Sequence, residues 1–522
     1  MTLRDTPVSD QRPSISALAL WLIGVKFVSH LVTAFITPYE FHRDELLYFS
    51  MGTHLRLFQM DFPPFIALVS EALRHTVGVS VPSYRITPAL FGIGVMLLAV
   101  LIARELGGGS RAQVLTAIAV LFNPLFLRTA SLFQPVVFDQ LWWLLGFWAL
   151  LRLVNTEDQR WWIVLGLAGG LGLLSKFSIL FFGLAVFVGL LLGTRRKAFL
   201  GPWPWVAVGI ALLIGSPSVV GQINLDWPVF EQMSGLREGQ LSRITLGEYL
   251  FEQAIWGPQI FLAVAGLLAL LVAPCLKRYR LIGWIALAGL VLFAAAKGKP
   301  YYTGPIHPVL YGAGAVWLEG FARPRLRAFL SWGLGIAVLA WGIFVLPFGL
   351  PVVPPEPMAR YAAMTGITAG TKTNWGAQLE LPQDYADMLG WREKAEAVAS
   401  MLFVAEPGLA RERAGALLYG ANYGQAGALD LYGRELGLPP VVSMAGSWYF
   451  FGPGDRPGNP VVLLGVEPEE LVSIGCASVE VATRVENYWG VPEERDVPVT
   501  FCYDPSISVQ RLWELRAEGR VH

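Results

Sequence analysis

The stretch 15–45, ISALALWLIGVKFVSHLVTAFITPYEFHRDE, joins a long apolar run to four consecutive ionisable side chains. Residues 15–37 are long and apolar enough to cross a bilayer as one helix. The tetrad His42-Arg43-Asp44-Glu45 follows at the point where the chain should leave the membrane. Charged groups beside a span are costly, so this tetrad is the first candidate for a functional site.

Composition indicates a membrane protein with two differently solvated regions. Hydrophobic residues make up 54% of the 522 residues and charged residues 15%, whereas soluble domains have about a quarter charged residues. Residues 1–350 contain 26 Lys and Arg against 17 Asp and Glu, and residues 351–522 contain 13 against 22. The positive charges form short clusters between apolar runs rather than one basic face, which argues against nucleic acid as a partner.

The apolar runs predict a polytopic α-helical membrane protein with about eleven transmembrane helices. Runs of spanning length lie near 15–37, 86–103, 112–131, 135–151, 203–221, 256–275, 281–296, 304–320 and 327–350. A polar break at Ser175-Lys176 divides a further run, 161–192, into two short spans.

Lysine and arginine residues predict the orientation of these spans. They cluster in alternate short loops, near Arg104, Arg152, Arg195, Lys277 and Arg323. The positive-inside rule makes those loops cytoplasmic. The outward-facing segments are then 38–85, the turn at Lys176, 222–255, 297–303 and the whole region from about 351.

The first outer loop, 38–85, has two amphipathic patterns. Apolar residues recur at helical spacing through 45–58 and, after Pro63-Pro64, through 65–77. Two helices in the plane of the membrane interface fit these patterns, with solvated connecting helices as the alternative.

A proline-rich linker at 351–357 introduces a C-terminal region of lower hydropathy. Strands are predicted at 414–419, 440–444, 461–466 and 497–502, and helices at 425–436, 467–474 and 507–517. The sequence therefore predicts an extracytoplasmic soluble α/β domain over 351–522, after a transmembrane domain over 1–350 that contains the loop 38–85. Asn422-Tyr423-Gly424 lacks the spacing of a phosphate loop and predicts an ordinary turn. Cys476 and Cys502 could pair in an oxidising compartment, although two unpaired residues are slightly favoured.

Candidate reactive side chains gather in the outward-facing segments. They are Asp44, Glu45, Asp61, Gln134, Asp139, Lys176, Lys297, Lys299, Tyr301, Tyr302 and His307. A carboxylate held ionised by Arg43 or a lysine is a plausible general base for an acceptor hydroxyl. Lysine and tyrosine donors at membrane level suit the phosphate of a lipid-linked donor.

Simpler explanations exist for several of these residues. Lysines and tyrosines in 297–302 could be interfacial anchors, Asp139 a buried helix-pairing group, and Lys176 the end of a short helix. No metal site is indicated, because His42, His54 and His75 match no compact ligand pattern. Asp44, Glu45 and Asp61 could still bind a divalent ion.

Four stretches together resemble the GT-C integral-membrane glycosyltransferases. They are HRDELLY at 42–48, DFPP at 61–64, QPVVFDQ at 134–140 and KGKPYY at 297–302. Within that superfamily the chain is similar to a bacterial branch related to protein O-mannosyltransferases and lipid A aminoarabinose transferases. The segment 422–433 is similar to the tail of the same branch.

The resemblance implies an inverting transfer from a polyprenyl-phosphate sugar, outside a bacterial inner membrane. It implies Asp44 as the general base and Glu45 as second choice, while His42 and Arg43 tune or anchor the site. The donor phosphate would be bound by the group Lys299, Tyr301 and Tyr302, with Lys176 and Lys297 as further candidates. The acceptor is left open between a glycan, a lipid and a protein, and so is the sugar. Met60-Asp61-Phe62 stands where aminoarabinose transferases carry a lysine, which weakens that specific assignment.

Two other functional classes fit a multi-pass membrane protein. A transporter or flippase for lipid-linked sugars should show inverted repeats and polar groups at the membrane midplane. Here no repeat is found and the polar groups cluster at one face. A cell-wall-binding protein with a catalytically dead membrane part is the other alternative, and the intact acidic pair and KGKPYY stretch argue against it.

Overall fold

A computed structural model describes residues 13–193, 196–321, 323–367, 370–403, 413, 415–473 and 475–520. The chain divides into two compact units. The first unit comprises the segments up to 36, 57–65 and 82–352. The second comprises 37–56, 66–81 and the chain from 353 onward, so most of the first outer loop groups with the C-terminal region. Arg195, Ala414 and Ile474, which the sequence-based predictions include, lie outside the described residues.

The first unit is built from helices around an apolar core. In chain order these are α1 (Ala17–Ile36), α4 (Val81–Glu105), α5 (Ser110–Leu121), α6 (Pro124–Thr129), α7 (Pro135–Thr156), α8 (Trp161–Ser175), α9 (Ile179–Leu192), α10 (Trp203–Asn224), α11 (Pro228–Gly239), α12 (Leu246–Ile255), α13 (Ile260–Val272), α14 (Arg280–Ala295), α15 (His307–Glu319) and α16 (Pro324–Gly349). Short 3-10 segments cover Arg196–Leu200, Leu241–Arg243, Pro274–Tyr279 and Pro300–Ile306.

Six helices in the described part of the chain are long and apolar enough to cross a membrane, or seven if the bent pair α12 and α13 counts as one span. Helices occur at every predicted span, and the break at Ser175-Lys176 falls between α8 and α9, as predicted. The predicted span 112–131 is wrong as one helix. The side chain of Asn123 accepts the N–H of Leu125 and Pro124 starts a new helix there, because proline cannot continue the hydrogen-bond ladder. The count of eleven spans stays a prediction.

Glycines allow close packing between the apolar helices. A Cβ atom at Gly266 on α13 would overlap the carbonyl oxygen of Leu310 on α15, and one at Gly314 would overlap that of Leu262. Small residues at such crossings let backbones approach in a membrane, where water supplies no hydrophobic driving force between helices. This contact fixes α15, and the 3-10 segment before it, against the helical core.

The second unit contains α2 (Arg43–Thr53), α3 (Phe65–Thr76), α17 (Pro355–Thr365), α18 (Gln383–Ala386), α19 (Trp391–Leu402), α20 (Tyr423–Glu435) and α21 (Val509–Ala517). Its strands are β1 (Leu417–Gly420), β2 (Val441–Val442), β3 (Val461–Leu464), β4 (Cys476–Glu486) and β5 (Asp496–Pro505). They form one sheet in the order β2-β1-β3-β5-β4. β1 is parallel to β2 and β3, and β5 is antiparallel to β3 and β4.

The α/β fold class of this region is confirmed, but individual elements differ from the prediction. The predicted helix 467–474 is a 3-10 segment over Pro468–Ser473. Strand β4 was not predicted, because many of its side chains on both faces are exposed and its sequence lacks a clear alternation of buried and polar residues.

Cys476 on β4 and Cys502 on β5 form a disulfide with Cα atoms 5.4 Å apart. The preference for two unpaired cysteines was therefore wrong. Their separation of 26 residues carries no local signal, and the antiparallel pairing of β4 with β5 brings them together. Cys275 is free and exposed.

The two helices predicted in the first outer loop are present as α2 and α3, although α2 ends at Thr53 rather than near 58. α2 packs against α20, where a Cβ atom at Gly427 would lie 2.8 Å from Cβ of Leu46. The Ser50 hydroxyl also donates to Asp430 on α20 at 2.8 Å. Their position in the membrane interface stays a prediction.

Candidate functional site

Eight of the predicted site residues belong to two groups, one in each unit. The first-loop cluster consists of His42, Arg43, Asp44 and Glu45 with their partners Asp387, Tyr423 and Glu494. The lysine–tyrosine cluster consists of Asp139, Lys176, Tyr301 and Tyr302. Each is described within its own unit.

Asp44 lies in the first turn of α2, where a capping box fixes the backbone. The Nδ1 atom of His42 accepts the N–H of Asp44 at 3.1 Å, and Oε2 of Glu45 accepts the N–H of His42 at 2.8 Å. Carboxylates are stabilised at a helix N-terminus by the exposed amides and the helix dipole. Glu45 is fully buried, whereas the Asp44 side chain is 29% exposed. The solvent-accessible carboxylate of the pair is therefore Asp44.

A tyrosine from the C-terminal region holds the Asp44 carboxylate. The hydroxyl of Tyr423 donates to Oδ1 of Asp44 at 3.0 Å. Burial, together with the negative charge of Asp44, raises the pKa of Tyr423 well above its usual value, so the hydroxyl keeps its proton. Tyr423 starts α20, and the side chain of Asn422 caps that helix by accepting the N–H groups of Gly424 and Gln425.

Arg43 connects α2 to carboxylates of the C-terminal region. Its Nη1 lies 3.3 Å from Asp387 Oδ1 and 3.1 Å from Glu493 Oε1. Its backbone N–H donates to the carbonyl of Asp387 at 3.0 Å. A second ion pair, Lys394 with Glu494 at 2.9 Å, is fully buried. Such buried pairs hold their geometry because either charge alone would be costly.

His42, Asp384 and Asp387 offer ligand atoms that lie within 4.8 Å of one another. Nε2 of His42 is 3.7 Å from Asp384 and 3.9 Å from Asp387. Because Nδ1 accepts the N–H of Asp44, the neutral ring carries its proton on Nε2 and has no lone pair there for a metal. Burial also raises the pKa of Asp387, which disfavours its carboxylate form. This arrangement does not fit a metal ion without rotation of the histidine ring.

In the first unit, Lys176 lies between α8 and α9 beside two aromatic rings. Its Nζ is 4.5 Å from the ring centroid of Tyr302 and 5.3 Å from that of Tyr301. Asp139 on α7 is buried and interacts electrostatically with Lys176. The structure therefore brings Asp139, Lys176, Tyr301 and Tyr302 together.

Several buried polar atoms of this region form no hydrogen bond of standard geometry among the described residues. One is Nε2 of Gln140. The others are Oδ1 of Asp139, Oγ of Ser178 and Nε1 of Trp143, and Ser178 and Trp143 lie against the Asp139 carboxylate. Buried polar groups in folded proteins are nearly always paired with protein or water, so such atoms mark a place that water or a ligand completes.

The remaining predicted residues lie at other places in the first unit. Lys297 is exposed at the end of α14 with a left-handed φ of 52°, and Lys299 is half-buried before the 3-10 segment. His307 is buried, with Nε2 3.1 Å from Oε1 of Gln253. Asp61 accepts a hydrogen bond from Gln222 through its backbone carbonyl. Gln134 precedes α7 as its N-cap residue.

Sequence reasoning missed the C-terminal partners of the first-loop cluster. Tyr423, Asp387 and Glu494 contact residues more than 300 positions earlier in the chain. The one available signal was the Asn422-Tyr423-Gly424 turn, whose tyrosine was not connected with Asp44.

The first unit thus contains apolar helices long enough to span a membrane together with a buried polar cluster, and the second unit contains the α/β sheet. Residues 61–220 match the family model described as dolichyl-phosphate-mannose-protein mannosyltransferase.

Solved structures are similar to this chain at low sequence identity. The crystal structure of ArnT from Cupriavidus metallidurans bound to undecaprenyl phosphate matches with a TM-score of 0.59 and 17% identity, over 92% of this chain and 97% of that chain. The apo state of ArnT gives the same values. The Archaeoglobus fulgidus oligosaccharyltransferase has a TM-score of 0.48 and 15% identity, over 84% of this chain and 65% of that chain. No curated protein matches in a sequence search. At 17% identity the likeness to ArnT establishes the fold alone, and it confirms the GT-C fold expected from the sequence resemblance.

Proposed function

We propose that the protein is a glycosyltransferase that moves a sugar from a polyprenyl-phosphate-linked donor to an acceptor outside the cytoplasm. The observation that carries this proposal is the partly exposed carboxylate of Asp44, held at a helix N-terminus and by the Tyr423 hydroxyl. The mannosyltransferase family match and the fold shared with ArnT, whose solved structure contains undecaprenyl phosphate, support the donor class.

Asp44 is the general base of this proposal. Its carboxylate takes the proton of an acceptor hydroxyl while that oxygen forms a bond to the anomeric carbon of the donor sugar. The bond between this carbon and the phosphate oxygen breaks, and the electron pair leaves with polyprenyl phosphate. Attack opposite the leaving group inverts the anomeric configuration. The hydrogen bond from Tyr423 fixes the orientation of the Asp44 carboxylate.

The lysine–tyrosine cluster is the proposed site for the donor phosphate. The ammonium of Lys176 compensates the charge on the departing phosphate, and tyrosine hydroxyls can donate to its oxygens. Asp139, buried on α7, interacts electrostatically with this lysine. Lys299, in the same loop as the two tyrosines, is a further candidate to bind the phosphate.

The other members of the tetrad have supporting roles. Glu45 and His42 close the capping box of α2, and Arg43 attaches that helix to Asp387 and Glu493. We assign all three to positioning Asp44. The resemblance implied Glu45 as the second choice of base. To act in this way, its buried carboxylate would have to give up the hydrogen bond from the backbone N–H of His42.

A bacterial inner membrane with the second unit outside the cytoplasm is the proposed location. The disulfide between Cys476 and Cys502 supports this side, since disulfides persist in oxidising compartments. Labelling of engineered cysteines on α17 from outside intact spheroplasts tests it, and labelling from the cytoplasmic side alone would contradict it.

The direct test of the activity is release of polyprenyl phosphate by the purified protein supplied with polyprenyl-phosphate sugars. Asp44→Asn is expected to lower the rate by about 10²–10⁴-fold, the usual contribution of general base catalysis. Glu71→Gln is the matched control, because it makes the same change on α3 of the same loop and should leave the rate unchanged. Full turnover by Asp44→Asn would exclude the proposed mechanism, and donor translocation without turnover would establish a transporter instead.

A further inference from the structure

The second unit contains a cavity of about 430 Å³ that the proposed chemistry does not use. It lies between the segment that precedes α2, the residues just before α4, and the facing parts of α19 and α20. Its principal side chains are Tyr39, Glu40, Phe41, Arg392, Tyr432 and Glu435. The volume falls in the usual range of small-molecule sites, about 300–1,000 Å³.

Aromatic side chains form the floor of this cavity and charged side chains form its rim. Tyr39, Phe41 and Tyr432 are each at most 5% exposed. The side chains of Arg392 and Glu435 are 45% and 59% exposed and form an ion pair at 3.2 Å. The Arg392 guanidinium also stacks on Tyr432, 4.5 Å from the ring centroid. The rim groups are therefore ordered and also accessible to a ligand.

Glu40 is fixed between floor and rim. Its Oε2 accepts the backbone N–H groups of Trp391 and Arg392, both at 3.2 Å, at the start of α19. Its own backbone N–H donates to the carbonyl of Met388 at 3.0 Å. The side chain of Glu40 is therefore attached to the start of α19, and its backbone to the residues just before that helix.

The lining selects among ligand classes by charge and shape. Two carboxylates against one guanidinium give no positive excess, which disfavours phosphates and other anions. Carboxylates accept and guanidinium groups donate hydrogen bonds, so hydroxyl groups can be bound in both roles. Val79 and Val81, half-buried in the same lining, offer an apolar surface that suits a C–H face. A sugar ring combines hydroxyl groups at its edge with such a face.

The cavity is also close in the chain to Asp44. Glu40 precedes Asp44 by four residues, and an extended chain spans at most about 3.6 Å per residue, roughly 14 Å in all. The N–H of Arg43 donates to the carbonyl of Asp387 at 3.0 Å, so the connecting segment is fixed at both ends. An oligosaccharide with its reacting hydroxyl at Asp44 is long enough to place a neighbouring sugar in the cavity.

We propose that this cavity binds a neutral or amino-bearing sugar of the acceptor, which makes the acceptor a glycan. The claim that the bound sugar belongs to the acceptor rests on the proposed function. The claim that the cavity binds a sugar does not depend on it. The two parts are therefore tested separately.

Binding is tested with the full-length protein in nanodiscs by saturation-transfer-difference NMR, without a donor. The probes are the methyl glycosides of glucose, galactose, mannose and glucosamine, and inorganic phosphate is the competitor. Arg392→Ala is expected to weaken the binding of the preferred glycoside about tenfold, the usual loss of a charge-assisted hydrogen bond. Arg360→Ala is the matched control, since Arg360 forms an exposed ion pair with Glu356 on α17 and should leave binding unchanged.

The outcomes separate the cavity from the catalytic proposal. Binding of no glycoside, equal binding in both variants, or displacement by phosphate would overturn the sugar site. Sugar binding retained in Asp44→Asn supports it even if no donor is turned over. In the active enzyme, Arg392→Ala should raise KM for an oligosaccharide acceptor and leave hydrolysis of the donor in water unchanged. An unchanged acceptor KM would overturn the acceptor role.

Discussion

The first-loop cluster of the second unit and the lysine–tyrosine cluster of the first unit differ in how their polar groups are paired. In the first-loop cluster, Asp44 accepts a hydrogen bond from Tyr423, and Glu45 accepts one from the backbone N–H of His42. Arg43 forms ion pairs with Asp387 and Glu493. In the lysine–tyrosine region, Oδ1 of Asp139 and Nε2 of Gln140 form no hydrogen bond of standard geometry with the residues that the structure describes.

This difference corresponds to two physical tasks. A general base works best when the protein fixes its orientation before substrate arrives, because no reorganisation is then needed during the reaction. A site for a phosphate needs donors and charges whose final partner is the ligand. Mutations in the first-loop cluster should therefore affect the stability of the fold and kcat. Mutations in the lysine–tyrosine cluster should affect kcat/KM for the donor.

The largest effect on stability is expected from Lys394→Met. Removal of the ammonium leaves Glu494 charged in a fully buried place, and breaking such a pair costs about 3–5 kcal/mol. For a unit of this size the Tm should fall by roughly 10 °C, measured by differential scanning fluorimetry in detergent. Lys372→Met, at an exposed position of the same unit, is the control. Equal Tm values for both variants would show that the second unit does not depend on this pair.

Lys176→Met is the corresponding test of the lysine–tyrosine cluster. It keeps the length of the side chain and removes the charge proposed to bind the phosphate. We expect kcat/KM for the donor to fall about 10- to 100-fold, as loss of a charge-assisted hydrogen bond requires. The Tm should fall as well, because the buried Asp139 loses the nearby positive charge. Lys277→Met, an exposed lysine near the start of α14, should behave as wild type. A large loss of Tm with normal donor KM would mean that Lys176 is a structural residue.

The helices of both clusters were largely predictable from sequence. Hydropathy predicted α8 and α9 with their break at Ser175-Lys176, because the cost of polar groups in lipid acts on every residue of a span. The start of α2 also has a local signal, since Glu45 stands at the third helical position after the capping residue His42. Asp44, Lys176, Tyr301 and Tyr302 were therefore candidates before the structure was known.

The partners of those residues were not predictable. Tyr423 and Asp44 are separated by 379 positions, and their contact depends on the packing of α2 against α20. No periodic pattern encodes such a contact, because it is set by tertiary packing at sites like Gly427 rather than by local propensity. The same reason explains the missed disulfide, which depends on the unpredicted strand β4.

Tyr423→Phe tests whether pairing of Asp44 contributes to catalysis. The ring and its packing remain, and only the hydroxyl that donates to Asp44 is lost. We expect kcat to fall about fivefold while donor KM is unchanged, the usual contribution of one hydrogen bond. Because burial holds the pKa of Tyr423 well above its usual value, this ratio should be constant from pH 6 to 9. Tyr488→Phe, at an exposed tyrosine, is the control, and equal kcat values would remove Tyr423 from the mechanism.

The smallest effect is expected at Glu40, a carboxyl group of the second unit whose charged form is disfavoured by burial. Burial, reinforced by Glu393, raises the pKa of Glu40 from 4.5 to about 7. A carboxyl with a raised pKa binds its proton more tightly in the folded state, so it stabilises the fold at low pH. That contribution is lost as the pH rises from about 4.5 through 7. Glu40→Gln keeps an acceptor oxygen for the N–H groups of Trp391 and Arg392 and cannot ionise.

The Tm of Glu40→Gln relative to wild type should therefore rise by a few degrees between pH 5 and pH 8. Glu396→Gln, an exposed position on α19, gives the background for the same chemical change. If the difference in Tm between Glu40→Gln and wild type is the same at both pH values, Glu40 is ionised throughout, and the second unit stabilises all of its carboxylates. If it rises, burial disfavours the charged form of Glu40, and the ion pairs of the first-loop cluster do not compensate this carboxylate at the cavity.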